Sequence, residues 1–445
     1  MKPLNNEPYF ALVNDIIEQI SAEDSNTRSA LDDVTQYFLN DARSAKKQLE
    51  LKVQIATLQD EASLSNEQHA ELDSLIGDLN DIKQQDDTDR HQRLKRVRNL
   101  CQAIYECCEG KSLEESKQKT AKFLASLWLL SEQYSGSVQA FHQRIKTPYK
   151  MALTLRLVDE VIHNKLLRVP NWDRFADPEI RFHGTEEQRQ SWYALVAVPA
   201  MTAALFQDAG LHHPLAKKLL QGSNKSKDPF RVLDNDERTS LLKMNYRFSV
   251  DYVTTGLGAD YGTTYATPET QILAHATQIE LVKDAYKPAT GIGELLKIPQ
   301  IYASVVFSTK HEFTRTEVPK GCMLIDQLGK KGVLNVDLAN AFNSIVGAFP
   351  QGYGLLSNDA KCMVLGLYPH KMHEPHVLAL LSPKDELLDE PAYSLSKNAN
   401  FYFASTRDQF SAQQPHEAGE QNDAPPIQGT WMASQEFAKW SSRWA

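Results

Sequence analysis

The feature that most constrains the fold is helix-forming sequence throughout the first 145 residues. Gly77 is the only glycine before Gly110, and glycine interrupts helices more often than any residue except proline. Apolar residues recur there at spacings of three and four, the period of an amphipathic helix: Leu49, Val53, Ala56, Leu72, Leu75, Ile76, Leu79 and Ile82. The pattern predicts two long helices joined near Ser63–Ser65, packed as a hairpin within one chain or paired between chains.

Helical patterns continue through the middle of the chain and change after residue 349. We expect further helices over 113–134, 137–168, 186–206, 234–258, 268–285 and 335–349. Asp234 and Thr267 are typical N-caps, and Pro199 predicts a bend. The later segments GLLSNDAKCMVLGLY, HVLALLSP and NFYFAS alternate or run apolar between turn residues, which indicates strands. The expected fold class is therefore mostly α, with a small antiparallel β appendage near the C-terminus.

These patterns divide the chain into four regions: a helical N-terminal domain (1–145), a helical core (146–348), the β appendage (349–404) and a tail (405–445). After Ser405 the sequence is polar and contains proline, which is typical of a flexible linker. The last residues place four aromatic side chains near one helical face: Trp431, Phe437, Trp440 and Trp444. A tethered aromatic face is typical of a docking peptide, and the alternative is a helix that folds back on its own domain.

Composition excludes several classes of protein. A net charge of −9 and a pI near 5.8 argue against non-specific nucleic-acid binding, which needs a basic surface. The N-terminus has no signal-type apolar core, and no run of about 18 apolar residues occurs, so we expect no integral membrane segment. The five cysteines lack CxxC spacing. We therefore expect the cysteines to be reduced thiols in a cytoplasmic protein.

The stretch AALFQDAGLHHP, residues 203–214, has the residue pattern of a helix that ends in a metal site, yet a glutamine occupies the position where the first ligand is expected. AALFQDAGL, LDNDERTSLLKMNYRFSVDYV at 233–253 and NVDLANAFNSIVGAFPQGYGLLS at 335–357 together resemble the HD-GYP family, a branch of the HD-domain phosphohydrolases. The resemblance covers residues 185–400, about half of the chain. It implies a helical HD-type core. The family's enzymes hydrolyse cyclic di-GMP with two or three metal ions, usually iron.

The resemblance places most of the family's metal ligands on residues that bind metals poorly. The histidine and aspartate of the signature fall on Gln207 and Asp208, a later histidine on Asn245, one histidine of the next motif on His275, and the last aspartate on Ser304. Two ligand-type side chains cannot hold a bridged metal pair. The resemblance therefore implies a site without metal or other cofactor. Asp208 and His275 are alternatively a hydrogen-bonded pair retained for packing.

Other polar residues near this core leave alternatives open. His212 and His213 are candidates to replace the missing ligand, or they have a role only in a turn. Arg247, Lys310 and Arg315 are candidates to hold nucleotide phosphates, as such residues do in the family, or they are solvated surface charges.

The function expected is that of a non-catalytic HD-GYP-like signalling or scaffold protein that acts through protein contacts. Its N-terminal helices and aromatic tail are the candidate contact surfaces. One alternative is a sensor that binds cyclic di-GMP without hydrolysis. A third is an active cyclic di-GMP phosphodiesterase with an atypical metal site.

Overall fold

A computed structural model describes residue 4 and the ranges 7–23, 28–61, 63–170, 172–260, 267–413 and 428–444. This part of the chain is mostly helical with one small antiparallel sheet near the C-terminus, which confirms the expected fold class. Its α-helices are, in chain order, α1 Pro8–Ile20, α2 Ala30–Gln59, α3 Asn66–Cys108, α4 Leu113–Gln133, α5 Val138–His163, α6 Pro178–Phe182, α7 Glu186–Trp192, α8 Val198–Phe206, α9 Pro214–Gln221, α10 Asn235–Asp251, α11 Pro268–Tyr286, α12 Glu294–Val306, α13 Lys320–Lys330, α14 Val336–Val346, α15 Ala404–Gln413 and α16 Phe437–Trp440.

Helices α2 and α3 form the predicted hairpin within one chain. Ser29 and Ser65 open them with capping boxes, which satisfies backbone N–H groups that a helix start leaves free. The distal part of the hairpin has a small core of its own: Leu51, Ile55 and Leu79, with Leu72, Leu75, Ile76 and Ile82 packed against them. Leu49 and Val53 of α2 lie outside this small core and are 63% and 58% exposed.

Most of the helices, including the proximal parts of α2 and α3, contribute to one hydrophobic core, which extends from Phe10 in α1 to Trp440 in α16 and includes residues of all four predicted regions. Helix α5 crosses its centre and is buried along most of its length. One helical run in the described chain, 186–212, is long and apolar enough to span a membrane by length and composition, and 78% of its most apolar stretch is buried inside the protein. Core helices of this kind meet the same criterion.

The helix predicted over 186–206 changes its winding in front of Pro199. Between α7 and α8 the residues Tyr193–Ala197 form a π-helical segment. Proline has no backbone N–H, so Pro199 gives the Leu195 carbonyl no α-helical partner. The indole N–H of Trp172, a buried residue outside this helix, donates to Leu195 O at 3.0 Å. A second π-helical segment, Tyr252–Leu257, follows α10.

The sheet contains four antiparallel strands in sequential order: β1 Gly354–Leu356, β2 Lys361–Val364, β3 His376–Leu381 and β4 Tyr393–Ser394. The strand predicted at NFYFAS was wrong. The Asn400 side chain accepts a hydrogen bond from Tyr402 N at 3.0 Å, and this local turn leads the chain into α15 instead. Helix α15 also occupies the start of the predicted flexible linker, while residues 414–427 of that linker lie outside the described ranges.

The C-terminal segment 428–444 packs on its own chain. Trp431, Phe437 and Trp440 are buried. The Trp431 and Trp440 indoles donate to backbone carbonyls at 2.8 Å, those of Cys362 and Ala433 respectively. The rings of Phe437 and Trp444 lie 5.5 and 5.1 Å from the ring of Phe10 in α1, centroid to centroid. Of the two alternatives for the aromatic tail, the structure has the helix that folds back on its own domain.

Candidate functional site

Four helices converge on the carboxylate of Asp208, which follows the end of α8. The Lys150 ammonium of α5 lies 2.9 Å from Asp208 Oδ2, and Gln300 Nε2 of α12 donates to the same oxygen at 2.8 Å. Asn245 Nδ2 of α10 donates to the other oxygen, Oδ1, at 3.1 Å. Both carboxylate oxygens therefore accept hydrogen bonds from protein N–H donors. We call Lys150, Asp208, Asn245 and Gln300 the Asp208 cluster.

Further hydrogen bonds hold the residues of this cluster in place. The hydroxyl of Tyr286, the last residue of α11, donates to Gln207 O at 2.7 Å, and Asn245 Nδ2 lies 2.6 Å from that hydroxyl oxygen. Ser249 links α10 to the turn after Asp208 by accepting from Gly210 N at 2.8 Å. Glycine is required at 210 because a Cβ there would lie 2.7 Å from Asn245 Cα.

The electrostatics of the cluster centre on one carboxylate and two lysines. The Lys150 side chain is 3% exposed and that of Asp208 is 28% exposed. Burial raises the pKa of the Asp208 carboxyl, but the charge and hydrogen bond of Lys150, the hydrogen bond of Asn245 and the charge of Lys146 together outweigh burial and hold that pKa below its ordinary value. Burial lowers the pKa of Lys146, one turn earlier on α5, to about 8, and the nearby Lys150 charge adds to this effect.

The residues of this cluster do not fit the metal pair of the HD-GYP family. Within the described ranges, no three His, Cys, Asp or Glu side chains come together as a metal centre requires. The Asn245 and Gln300 amides donate N–H groups to Asp208, so their oxygens do not join its carboxylate in a common ligand set. The Asp208 cluster is thus an ion pair surrounded by amides.

The structure separates His275 and Ser304 from Asp208. His275 Nε2 donates to Val253 O at 2.9 Å, and its ring lines a different cavity. The alternative of an Asp208–His275 hydrogen-bonded pair is therefore not what the structure contains. Ser304 is on the exposed face of α12, while Gln300, one turn earlier, faces the carboxylate. The structure therefore does not bring Ser304 to the Asp208 carboxylate.

The two adjacent histidines have packing contacts. His212 Nδ1 lies 3.4 Å from Thr35 Oγ1, and burial lowers its pKa to about 4. The His213 ring stacks on Phe248 with 3.5 Å between centroids, and its Nδ1 accepts from Leu215 N at the start of α9. These contacts favour the turn role for both residues.

The three basic candidates lie in different surroundings. Arg247 is exposed, with its guanidinium 5.5 Å from the Phe248 ring centroid, and Lys310 is also exposed. Arg315 forms an ion pair with the buried Glu132 at 2.6 Å and donates to Trp431 O at 2.9 Å. Arg315 therefore secures the C-terminal segment, and the structure does not bring the three together as a phosphate site.

A cavity of about 590 Å³ lies apart from the Asp208 cluster, between α3, α11 and the π-helical segment before α8. We call it the α3–α11 cavity. Its lining includes His275, Tyr193 and Arg98, and none of the residues that bind Asp208. The sequence had not indicated it, because its walls come from helices that are distant in the chain.

Lys150 and Gln300 were also missed from the sequence. A lysine directly before the apolar run MALTLRLV in a buried helix was the available signal, since lysine is buried only when it has a partner.

The chain was also compared with protein-family models, curated proteins and solved structures, and none matches.

Proposed function

We propose that this chain is an HD-GYP-like signalling or scaffold protein that does not hydrolyse cyclic di-GMP and acts through protein contacts. The observation that carries the proposal is the Lys150–Asp208 ion pair. Hydrolysis by a metal pair needs carboxylates that bind cations, because a bound cation lowers the pKa of the attacking water. In this chain the one carboxylate at that position is neutralised by an ammonium group.

The charge around Asp208 also opposes a divalent cation. Lys146 and Lys150 lie on one face of α5, and both interact electrostatically with Asp208. When both are protonated, the three groups together carry a net charge of +1. A cation entering this space would meet repulsion that the single carboxylate does not offset, since the low dielectric of a protein interior strengthens such forces.

The α2–α3 hairpin supports a role in protein contacts. Leu49, Val53 and Ala56 lie on the exposed side of α2. Their spacing of four and three is that of a coiled-coil seam. In this proposal the seam pairs with the same seam of a second copy, which makes the hairpin a self-association surface.

Catalysis is tested with purified protein loaded with Fe²⁺ or Mn²⁺ and then freed of excess metal. We expect substoichiometric metal and no cleavage of cyclic di-GMP above the rate without protein. Stoichiometric bound metal together with turnover would overturn the proposal of a non-catalytic core.

Self-association is tested by light scattering across a concentration series. We expect wild-type protein to be dimeric and the double variant Leu49→Glu/Val53→Glu to be monomeric. Gln54→Glu is the matched control, because it adds a charge at another exposed position of α2. A monomer at all wild-type concentrations would contradict the use of this seam.

A further inference from the structure

The α3–α11 cavity has the size and the apolar floor of a small-molecule site. Its volume of about 590 Å³ falls within the range of about 300–1,000 Å³ that such sites occupy. Leu94 and Val97 of α3 contribute apolar lining, together with Val198 of α8 and Leu257. Both π-helical segments contribute residues to its wall, and π-helical turns in proteins occur frequently at functional sites.

Carboxamide side chains dominate the polar lining and come from different helices. They are Asn99 and Gln102 of α3, Gln190 of α7, and Gln271 and Gln278 of α11. A carboxamide presents a hydrogen-bond donor and an acceptor side by side, which matches the edge of a nucleobase. Tyr193 supplies an aromatic ring in the same lining. This combination favours a flat heterocycle over a flexible aliphatic ligand.

Among the charged side chains of the lining, one positive charge is not balanced by a negative one. Arg98 forms an ion pair with Asp260 at 2.9 Å. Lys95, one turn earlier on the same face of α3, has no ion-pair partner in the described part of the chain. A single exposed ammonium at the rim matches one anionic group on the ligand.

The His275 ring is held in the lining of the α3–α11 cavity by a hydrogen bond to the backbone. Because Nε2 donates to Val253 O, a neutral His275 carries its proton on Nε2 and keeps Nδ1 as an acceptor. The cavity thus offers acceptors as well as donors, as the edge of a base requires.

We propose that the α3–α11 cavity binds a nucleoside monophosphate, with the base against the carboxamides and the phosphate at Lys95. The site is separate from the Asp208 cluster, and the inference does not depend on whether the chain is catalytic. The ligand chemistry follows from the apolar lining, the side-by-side donors and acceptors of the carboxamides, and the ammonium group of Lys95.

The test is titration calorimetry of the full chain with AMP, GMP, CMP and UMP, with cyclic di-GMP as a comparison. We expect at least one monophosphate to bind with a Kd below about 100 µM. Lys95→Glu should weaken that binding by about tenfold or more, since a charged hydrogen bond to phosphate becomes a repulsion. Lys83→Glu is the matched control, because it makes the same charge change at an exposed position of α3 outside the cavity lining.

A second variant keeps the test independent of charge. Gln278→Leu should weaken the binding of the same monophosphate, because it removes one carboxamide of the lining. The far-ultraviolet circular dichroism should not change, because Gln278 is only half-buried. Three results would each overturn the proposal: no heat with any monophosphate at about 1 mM, equal affinities for Lys95→Glu and Lys83→Glu, or tighter binding of cyclic di-GMP than of every monophosphate.

Discussion

Lys150 Nζ lies 2.9 Å from Asp208 Oδ2, so an ammonium group neutralises the carboxylate at the centre of the helical core. The two residues are 58 positions apart in sequence, and the pair joins α5 to the end of α8. Its energetic role follows from burial, because a charge left alone in a protein interior is far less stable than the same charge in water.

Replacing Lys150 with methionine should lower the free energy of unfolding at pH 7 by about 2–4 kcal/mol. The variant keeps the length of the side chain but leaves Asp208 without its cation. Denaturant titration measures the effect. Lys46→Met is the control, since Lys46 is 78% exposed, and it should change stability by less than about 0.5 kcal/mol. Equal effects of the two substitutions would show that the pair contributes nothing.

The contribution of this pair should depend on pH in the acidic range. The folded pKa of Asp208 lies below its ordinary value, so the folded state binds fewer protons than the unfolded chain near that value. The stabilisation is then fully present above the unfolded pKa, about 4, and is lost as the pH falls through the folded pKa. The stability difference between wild type and Lys150→Met should shrink as the pH falls toward the folded pKa of Asp208 in the wild type.

The charged form of Lys146 should destabilise the fold, so stability should also depend on pH in the alkaline range. Its folded pKa is about 8, against about 10.4 in an unfolded chain, so the unfolded state binds more protons between these values. The stability of the wild type should rise with pH across that window. Lys146→Met should therefore raise the melting temperature at pH 7 by roughly 1–2 °C and have little effect near pH 10.5. Lys83→Met should show no such dependence on pH.

Much of the secondary structure follows from the sequence, because helix caps and apolar periodicity are local. Asp234 and Thr267 cap α10 and α11 as predicted, by accepting from Glu237 N and Thr270 N. The sequence leaves open which apolar residues of α2 face α3, because Leu49 and Leu51 both fit an apolar spacing and only packing against α3 decides between them. The partner of Asp208 was not predictable in the same way, because Lys150 meets it only after α5 and α8 have packed.

Trp440→Ala should lower the free energy of unfolding by about 3–5 kcal/mol, as is typical of a large ring removed from a core. The Trp440 side chain is fully buried and donates to Ala433 O. Lys439→Ala, at a neighbouring 45% exposed side chain, should change stability by less than about 0.5 kcal/mol. If the aromatic segment were a free docking peptide, both substitutions would leave stability unchanged.

Trp172→Phe should lower the free energy of unfolding by about 1–2 kcal/mol more than Trp192→Phe does. Both indoles are buried, but only Trp172 donates a hydrogen bond to the chain, to the Leu195 carbonyl opposite Pro199. The indole N–H of Trp192 has no hydrogen-bond partner among the described residues, so its loss leaves no acceptor unsatisfied. Thermal and chemical denaturation of the two variants measure the difference, and equal losses would remove the role of the Trp172 hydrogen bond.

The contact of Phe10 with Phe437 and Trp444 has a consequence for biosynthesis. Helix α1 is translated before the aromatic surface that covers it, which follows more than 400 residues later in the sequence. Until then the apolar face of α1 lacks part of its cover, so the nascent polypeptide exposes an apolar surface that can aggregate. The core therefore closes around α1 only after this segment has been made, and chaperones that bind apolar segments can engage α1 in the interval.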